Sequence, residues 1–518
     1  MRRQHLGACA LLVAVVAAAC GSGDDGEAAS ATTGAPASTA STEASGTTAA
    51  RATASTVEAT NTDELEAGWK AQRDAVVEEL EAGGYGIDTA TNTLNGPAGF
   101  TVDLNGCPAG WSNTEGLTDD EIKIGQTLSQ SGNTADFGNM TRAWIAYMDY
   151  INEKFGGITD STGKTRKLTL VHKDDAYDPA RTIPLVDELL DSDRVFALTT
   201  SGSANTLRTY DKTNQRCVPH AFVWTGHPAF GDPVNHPWTM GSVLGYATEA
   251  IIWGSYMERT LPEGAKVAAL VMNNDFGQSY LDGLTAFIEG SDHGFQLVTE
   301  TFEPTAPTIN NEMTTLAAED PDAFIMMATG TPCSQAITDA AEIGLADTAE
   351  QLWQPSVCKP LSLVGRDKVG DASDGWLIVG GGQIDINDPT RAEDPAIVWA
   401  KDLLREAGLD PMSSSNLGAG FFLGWPHIET IRIAAQLDGG LTRTNMLLAM
   451  RSLDLDSPFL LEGIRVNTDG AEDAYPIEGS EIARFDSAQQ TWAQIGDIID
   501  LSGQSPPCAW DSSQSVCG

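Results

Sequence analysis

Residues 121–138 read EIKIGQTLSQSGNTADFG. Ile122–Leu128 reads as a strand, and a small polar loop follows it. Beyond the loop, Met140, Ala143, Trp144, Tyr147, Met148 and Ile151 fall at helical spacing, and Gly156-Gly157 closes the helix. Strand, glycine-containing loop and helix together open an α/β unit. The alternation continues with strands at Leu168–His172, Val195–Thr199 and Val218–Val223, separated by helices at Pro179–Leu190 and Asn205–Asn214. It restarts after a long helix, Val243–Thr260. Strands at Val267–Met272, Gln296–Phe302, Ala323–Met327 and Gln351–Gln354 then alternate with helices at Ser279–Glu289, Asn310–Ala318 and Cys333–Ile343. Trp376–Val379 is one more strand, and helices follow near Ala396–Ala407, Pro426–Leu437 and Asn445–Leu453. Such alternation predicts α/β architecture, with parallel sheets covered by helices on both faces. Two arrays of similar size, joined by several crossings, make two lobes with a cleft. Ligands of such sheets bind outside the C-terminal ends of the strands.

Working outward, the first residues form a leader. Arg2 and Arg3 give a basic start, and Leu6–Ala19 is an apolar run too short for a membrane span of about 20 residues. Ala17-Ala18-Ala19-Cys20-Gly21 places small residues before a cysteine. That order resembles a bacterial lipobox, which makes Cys20 the candidate lipidation site; an ordinary secretory signal with an incidental cysteine is the alternative. Several acyl chains anchor stably where one does not. Residues 21–62 are rich in Ala, Ser, Thr, Gly and Pro, so they bury too little surface to offset ordering and read as a disordered tether. Asp63–Glu81 is a helix candidate with Leu65, Trp69, Val76, Val77 and Leu80 on one face and Gly83-Gly84 as its stop. Residues 63–118 form an appendage ahead of the main body.

Hydrophobic residues make up 41%, enough for full cores, and the roughly 455 residues after the tether correspond to two or three domains. The net charge is −42, from 72 acidic and 30 basic residues. Such a surface argues against nucleic acid and anionic lipid as partners. Of eight cysteines, Cys9 leaves with the leader and Cys20 takes lipid. Cys107, Cys217, Cys333, Cys358, Cys508 and Cys517 remain in an oxidising compartment, where structural disulfides are expected. Six cysteines allow about 15 pairings and the sequence does not choose among them. Cys508–Cys517 across a short terminal loop and Cys333–Cys358 across neighbouring loops are first candidates, leaving Cys107–Cys217.

Five short motifs now carry a family likeness: Ile122-Lys123-Ile124-Gly125 with Ser131-Gly132 and Phe137-Gly138; Asn152–Gly157; Asp174-Asp175-Ala176-Tyr177-Asp178-Pro179; Asp275-Phe276-Gly277; and Ile343-Gly344-Leu345. In this order, over about Leu117–Trp492, the chain resembles type I periplasmic binding proteins of the branched-chain amino acid (Leu/Ile/Val) class. The resemblance implies two lobes with three hinge crossovers, closing on a small ligand and delivering it to the permease of an ABC importer. The division it implies is leader 1–20, tether 21–62, appendage 63–118, lobe 1 at 119–242 and 381–460, lobe 2 at 243–380, a return to lobe 2 at 461–500 and a tail at 501–518. Lobe closure is favoured only when a ligand bridges the two halves.

The resemblance also assigns candidate ligand contacts. Phe137 stands where relatives cover the ligand with an aromatic ring. Ser201, Gly202 and Ser203, in the loop Thr199–Thr206, stand where relatives bind a carboxylate, and a helix opening there would favour an anion in any case. Ser203 or Asn205 would equally serve as a helix cap. Trp224, Thr225 and Gly226 follow the fourth strand. Phe276, Thr331 after Gly330, and Trp425 face the cleft by the same likeness, and each aromatic could instead be core. Relatives hold the ligand's ammonium with an acidic residue after a lobe-two strand, where this chain has Ser356. A buried ammonium without a charged partner is costly. The ligand expected is therefore a small carboxylate or amide with an apolar body, or a branched-chain amino acid-like solute if Asp136 or Asp275 supplies the missing charge.

Other chemistries fit less well. Gly277-Gln278-Ser279-Tyr280-Leu281 nearly meets G-x-S-x-G, but its last position is Leu and Ser279 opens a helix. His220, His227 and His236 cluster within 17 residues at spacing too wide for a metal signature. Gly380-Gly381-Gly382 lacks the Lys-Ser/Thr of a phosphate loop and reads as a hinge near a crossover. Neither metal nor cofactor is expected, nor is enzyme activity. Two function classes remain: a solute-binding lipoprotein, anchored on the outer face of the membrane and serving an ABC permease, and a ligand sensor on the same fold signalling to a membrane partner.

Overall fold

The computed structural model describes residues 61–511, 513, 514, 516 and 517. The leader, Cys20 and the tether up to residue 60 lie outside them. The helix Thr62–Gly83 starts one residue ahead of expectation because the Asn61 side chain caps it, accepting from the Glu64 N–H at 3.1 Å. A three-stranded antiparallel meander follows: β1 (Gly86–Asp88), β2 (Thr93–Asn95) and β3 (Thr101–Asp103).

The first large sheet contains β4 (Glu121–Leu128), β5 (Ile158–Thr159), β6 (Thr165–Asp174), β7 (Ala197–Thr200), β8 (His220–Val223) and β9 (Thr239–Gly241), in the order β5-β6-β4-β7-β8-β9. All neighbours are parallel except the short edge pair β5 and β6. The second sheet holds β10 (Lys266–Met272), β11 (Gln296–Phe302), β12 (Ala323–Met327), β13 (Gln351–Gln354) and β14 (Leu377–Val379), all parallel. After a small pair, β15 (Asp454–Leu455) with β16 (Val466–Asn467), the chain returns as a hairpin, β17 (Gly479–Asp486) and β18 (Thr491–Asp500). This hairpin extends the sheet antiparallel beyond β14, giving β11-β10-β12-β13-β14-β17-β18. Both sheets are thus parallel-dominated rather than purely parallel. A last pair, β19 (Trp510–Asp511) and β20 (Val516–Cys517), closes the tail.

Each sheet has its own core. The chain passes between the cores three times: from Met240 to Leu244, from Val379 to Ile384, and from Ile477 to Ile482. The helices Pro395–Glu406, Asn416–Gln436 and Arg443–Met450 all pack into the first core. The expected helix Pro426–Leu437 is the second half of a longer one. Pro426 sits inside it, where a proline normally ends a helix. Near-complete burial keeps that helix continuous, and Gly424 brings it close to the Gly138–Lys154 helix: a Cβ there would lie 2.3 Å from the Trp144 ring.

The appendage shares the first core. Trp69 meets Trp399 and Trp425 edge-on, with centroids 5.3 and 5.7 Å apart. Buried Arg73 pairs with buried Glu429 and, at 2.7 Å, with Glu66, which also pairs with Arg432. Disulfides join Cys107 to Cys217, Cys333 to Cys358 and Cys508 to Cys517. The first ties the appendage to the segment just before β8. The tail docks on lobe 1: Cys508 N–H donates to the Gly231 carbonyl at 2.8 Å, and Trp510 stands edge-on to His227, 4.6 Å between centroids.

The second crossing carries the glycine triplet, and it is held firmly. Lys359 and Glu481, 5% and 2% exposed, form an ion pair beside it. Gly380 N–H donates to the Glu481 carbonyl (3.1 Å), Gly382 N–H to its carboxylate (2.9 Å), and Lys359 Nζ to the Gln383 carbonyl (2.5 Å). A Cβ on Gly380 would come 2.0 Å from that carboxylate, so glycine is required here to admit a buried charge. Removing one partner strands the other. Lys359→Met should cost about 3–5 kcal/mol, while Lys359→Met with Glu481→Leu should recover most of the loss. Denaturant midpoints of the two variants test this; equal losses would mean that the pair does not hold the crossing.

Candidate ligand-binding site

Strand ends from both sheets converge on the cleft, which divides into two chambers. The inner chamber, about 80 Å³, is walled mainly by Phe137, Met140, Trp224, Ala419, Phe422 and Leu423 from lobe 1 and by Tyr246, Phe276, Val357 and Pro360 from lobe 2. Tyr177 and Val243 complete its apolar wall, and Ser201, Gly202, Thr329, Gln383 and Asn416 supply its polar groups. Among the described residues, no Asp, Glu, Lys, Arg or His lines it. The outer chamber, about 220 Å³, is polar and includes Asn133, Thr134, Asp136, Thr331, Ser362 and Lys368. Phe137 and Asn416 are walls of both.

The lobes touch at the outer chamber. Asn133 Nδ2 donates to the carbonyls of Pro304 and Ala306 at 2.9 and 3.2 Å, and Thr331 Oγ1 donates to the Asn133 carbonyl at 3.0 Å. Ser362 Oγ donates to Asp136 at 3.3 Å. Tyr177, on a left-handed turn with Ala176, reaches from lobe 1 to pack against the second core. Opening the cleft breaks these contacts, and a ligand that bridges the lobes opposes that loss.

The expected site residues separate into walls and supports. Phe137, Ser201, Gly202, Trp224 and Phe276 line the inner chamber, and Thr331 lines the outer one. Ser203, Thr225, Gly226 and Ser356 line neither. Ser203 Oγ and Thr225 Oγ1 bond each other at 2.8 Å. Gly226 accepts the Tyr246 N–H at 2.8 Å and so places that ring. Trp425 requires correction: it is fully buried against Trp69, because the helix Asn416–Gln436 turns Asn416, Ala419, Phe422 and Leu423 to the cleft and Trp425 away from it.

The carboxylate-binding expectation for the Ser201–Ser203 loop also changes. The expected helix Asn205–Asn214 is two pieces, Ser203–Leu207 and Tyr210–Gln215, too short for a strong dipole. Thr209 Oγ1 bonds the carbonyls of Asn205 and Thr206, which competes with helix continuation. The Gly202 N–H is already given to the Trp224 carbonyl at 3.3 Å. Tyr177, Tyr246, Gln383 and Asn416 are among the walls that sequence reading missed. Of these four, only Tyr177 carried a signal, inside the Asp174–Pro179 motif.

Ser356 instead serves a carboxylate that the sequence did not single out. Its N–H and Oγ donate to Glu249 at 2.7 and 2.8 Å, and Tyr280 adds a bond at 2.9 Å. Tyr280 stacks on the chamber wall Tyr246, centroids 4.6 Å apart. The Ser356 turn therefore presents Val357 to the inner chamber while Glu249 holds the turn from behind. Burial pushes the Glu249 carboxyl up to about 8, against the lowering effect of its donors. The three histidines have separate tasks. His220 bonds Thr200 and Thr213, His227 accepts the Ala229 N–H, and His236 lies between Asp232 and Asp211. Ser279 is buried within the helix Asp275–Gly290.

A carboxyl raised on folding binds its proton more tightly in the native state. Its contribution is full below the unfolded pKa near 4.5 and is lost as pH rises through about 8. Glu249→Gln should therefore flatten the decline in thermal midpoint between pH 5 and pH 8. Parallel slopes for wild type and variant in that window would exclude Glu249 as its source.

The family model for periplasmic binding proteins matches residues 121–490. A branched-chain amino acid ABC transporter structure from Thermus thermophilus with bound valine is 18% identical, covering 74% of this chain and 97% of that one, with a TM-score of 0.63. A fatty acid ABC transporter substrate-binding protein from Thermomonospora curvata is 17% identical over 77% and 98%, TM-score 0.63. A solute-binding protein of an ABC transporter from Rhodopseudomonas palustris BisB5, in complex with 3,4-dihydroxybenzoic acid, is 19% identical over 74% and 98%, TM-score 0.60. A comparison with curated proteins returns no match. The family match runs through the first large sheet, all but the last strand of the second and all three crossings, and the chain belongs to the periplasmic binding protein family, with the type I fold.

Proposed function

We propose that this protein is the extracytoplasmic capture component of an ABC importer, tethered to the membrane by lipid on Cys20. It closes on a small carboxylic acid or amide with an apolar body and presents it to a permease. The observation that carries this reading is the inner chamber itself, aromatic and aliphatic and without a charged side chain among the described residues. An apolar group gains by entering it, whereas an ammonium would leave water for a site with no countercharge. Asp136 lines the outer chamber and not the inner one. Its oxygens already accept from Asn139, Ser362, Ser414 and Asn416. Asp275 lies outside both chambers, 3.9 Å from Arg208. The range of solutes named for the similar structures, from valine to a fatty acid class and an aromatic acid, fits a fold that changes ligand through its wall residues.

Thermal shift of the mature chain carrying Cys20→Ser tests the reading with an isosteric set: leucine, isocaproate and isocaproamide. A ligand at about 100 times its Kd adds about 2.7 kcal/mol, visible as a raised midpoint. Isocaproate or isocaproamide should raise it and leucine should not. A shift with leucine alone would overturn the proposed ligand class.

A further inference from the structure

Most apolar walls of the inner chamber belong to the core of their own lobe, and Tyr177 does not. It follows β6 on lobe 1, yet its ring packs against the second core, which holds the lobe 2 walls Tyr246 and Phe276. Its hydroxyl bonds the side chain of Asn274, which caps the helix Asp275–Gly290 and accepts the Phe276 N–H at 3.2 Å. On the lobe 1 side the ring lies against bare backbone: a Cβ on Gly202 would come 2.7 Å from it.

The turn that carries the ring is held in an unfavourable form. Ala176 and Tyr177 have φ of 53° and 61°, the only two successive non-glycine residues in the left-handed region among those described. Residues with a Cβ keep that conformation only where their surroundings fix it. Here two carboxylates do so. Asp174 accepts the Ala176 N–H at 2.9 Å and the Gln130 N–H at 2.8 Å. Asp175, fully buried, accepts the Tyr177 N–H at 2.9 Å, and Thr182 and Asn205 donate to its other oxygen at 3.2 and 3.1 Å. Of this whole arrangement only Tyr177 lines a chamber, so what it delivers to the cleft is the ring.

The space that the ring bounds is small. At about 80 Å³ it is about half of the ~150 Å³ that accommodates benzene in an engineered cavity. Truncating Tyr177 would open it into the space between Gly202 and Asn274. Resting on the capture reading above, we infer that Tyr177 determines the size of the ligand: its ring, seated on lobe 2 when the lobes meet, limits the apolar tail to a few carbons, and its hydroxyl ties enclosure of that tail to closure.

The probes are the straight-chain acids from butanoate to decanoate, measured by calorimetry on the full mature chain with Cys20→Ser. Each methylene that enters the chamber should tighten binding about fourfold, and affinity should fall once the tail outgrows it. Tyr177→Ala should move that break to acids longer by about two carbons or more, so that acids past the wild-type break bind about tenfold tighter than they do to wild type. Tyr177→Leu, a milder truncation, should place the break between the two. Tyr177→Phe keeps the ring and should keep the wild-type break, while loss of the Asn274 bond weakens every acid about two- to tenfold. A break at the wild-type length in both Tyr177→Ala and Tyr177→Leu, or one that moves in Tyr177→Phe, would overturn the assignment. The same lengths are measured as α-amino acids. If these bind in place of the acids, the proposed ligand class falls, and the break in their series judges Tyr177 by itself.

Discussion

The buried Lys359–Glu481 pair is the constraint on which the cleft depends. It joins a turn after β13 to a strand of the returning hairpin, and both partners grip the crossing between them. That crossing delivers Gln383 to the inner chamber and leads into the helices that complete lobe 1. Two charges withdrawn from water are poorly stabilising in themselves, and their value lies in fixing one geometry. Here the geometry is that of a pivot. The glycines pass closely around a carboxylate, so rotation between the lobes starts from a defined point rather than from a slack linker.

The same logic recurs behind the ligand walls. Glu249 holds the Ser356 turn, Gly226 places Tyr246, and Ser203 with Thr225 ties adjacent strand ends. Four of the residues expected to touch a ligand, Ser203, Thr225, Gly226 and Ser356, instead support the walls from one layer back, and aromatic rings form much of the surface. A polar residue at a family position therefore says little about ligand polarity until its own partner is known. Ser356 has its partner in Glu249, 107 residues earlier in the chain.

Apolar runs made much of the fold legible. Ala323–Met327 and Gln351–Gln354 stand residue for residue where the pattern put them, because central strands of a parallel sheet read as short hydrophobic blocks, and the edge strand Gln296–Phe302 keeps its expected bounds as well. The β17–β18 hairpin was not legible as strands. Much of β18 is exposed at the sheet edge and carries polar residues. The first half of the Asn416–Gln436 helix was hidden by glycines and Pro426, residues chosen for close packing and not for helix propensity. The site was legible at loops that follow strands, which supply Phe137, Ser201, Gly202, Trp224, Phe276 and Thr331. Tyr246, Gln383 and Asn416 come from three distant segments, and their meeting is a tertiary fact. Trp425 shows the limit within one helix, since two or three positions separate a cleft wall from the core.

The chain enters the described body, and also ends, on lobe 1. The Thr62–Gly83 helix is riveted there by Arg73 and Glu429, the Cys107–Cys217 bridge clamps the segment that follows, and the tail lies against His227. Mechanically, tension applied at Asn61 runs into lobe 1 and stops at those fastenings. It never loads the three hinge strands. Lobe 2 carries none of these fastenings and is joined to lobe 1 through the three crossings.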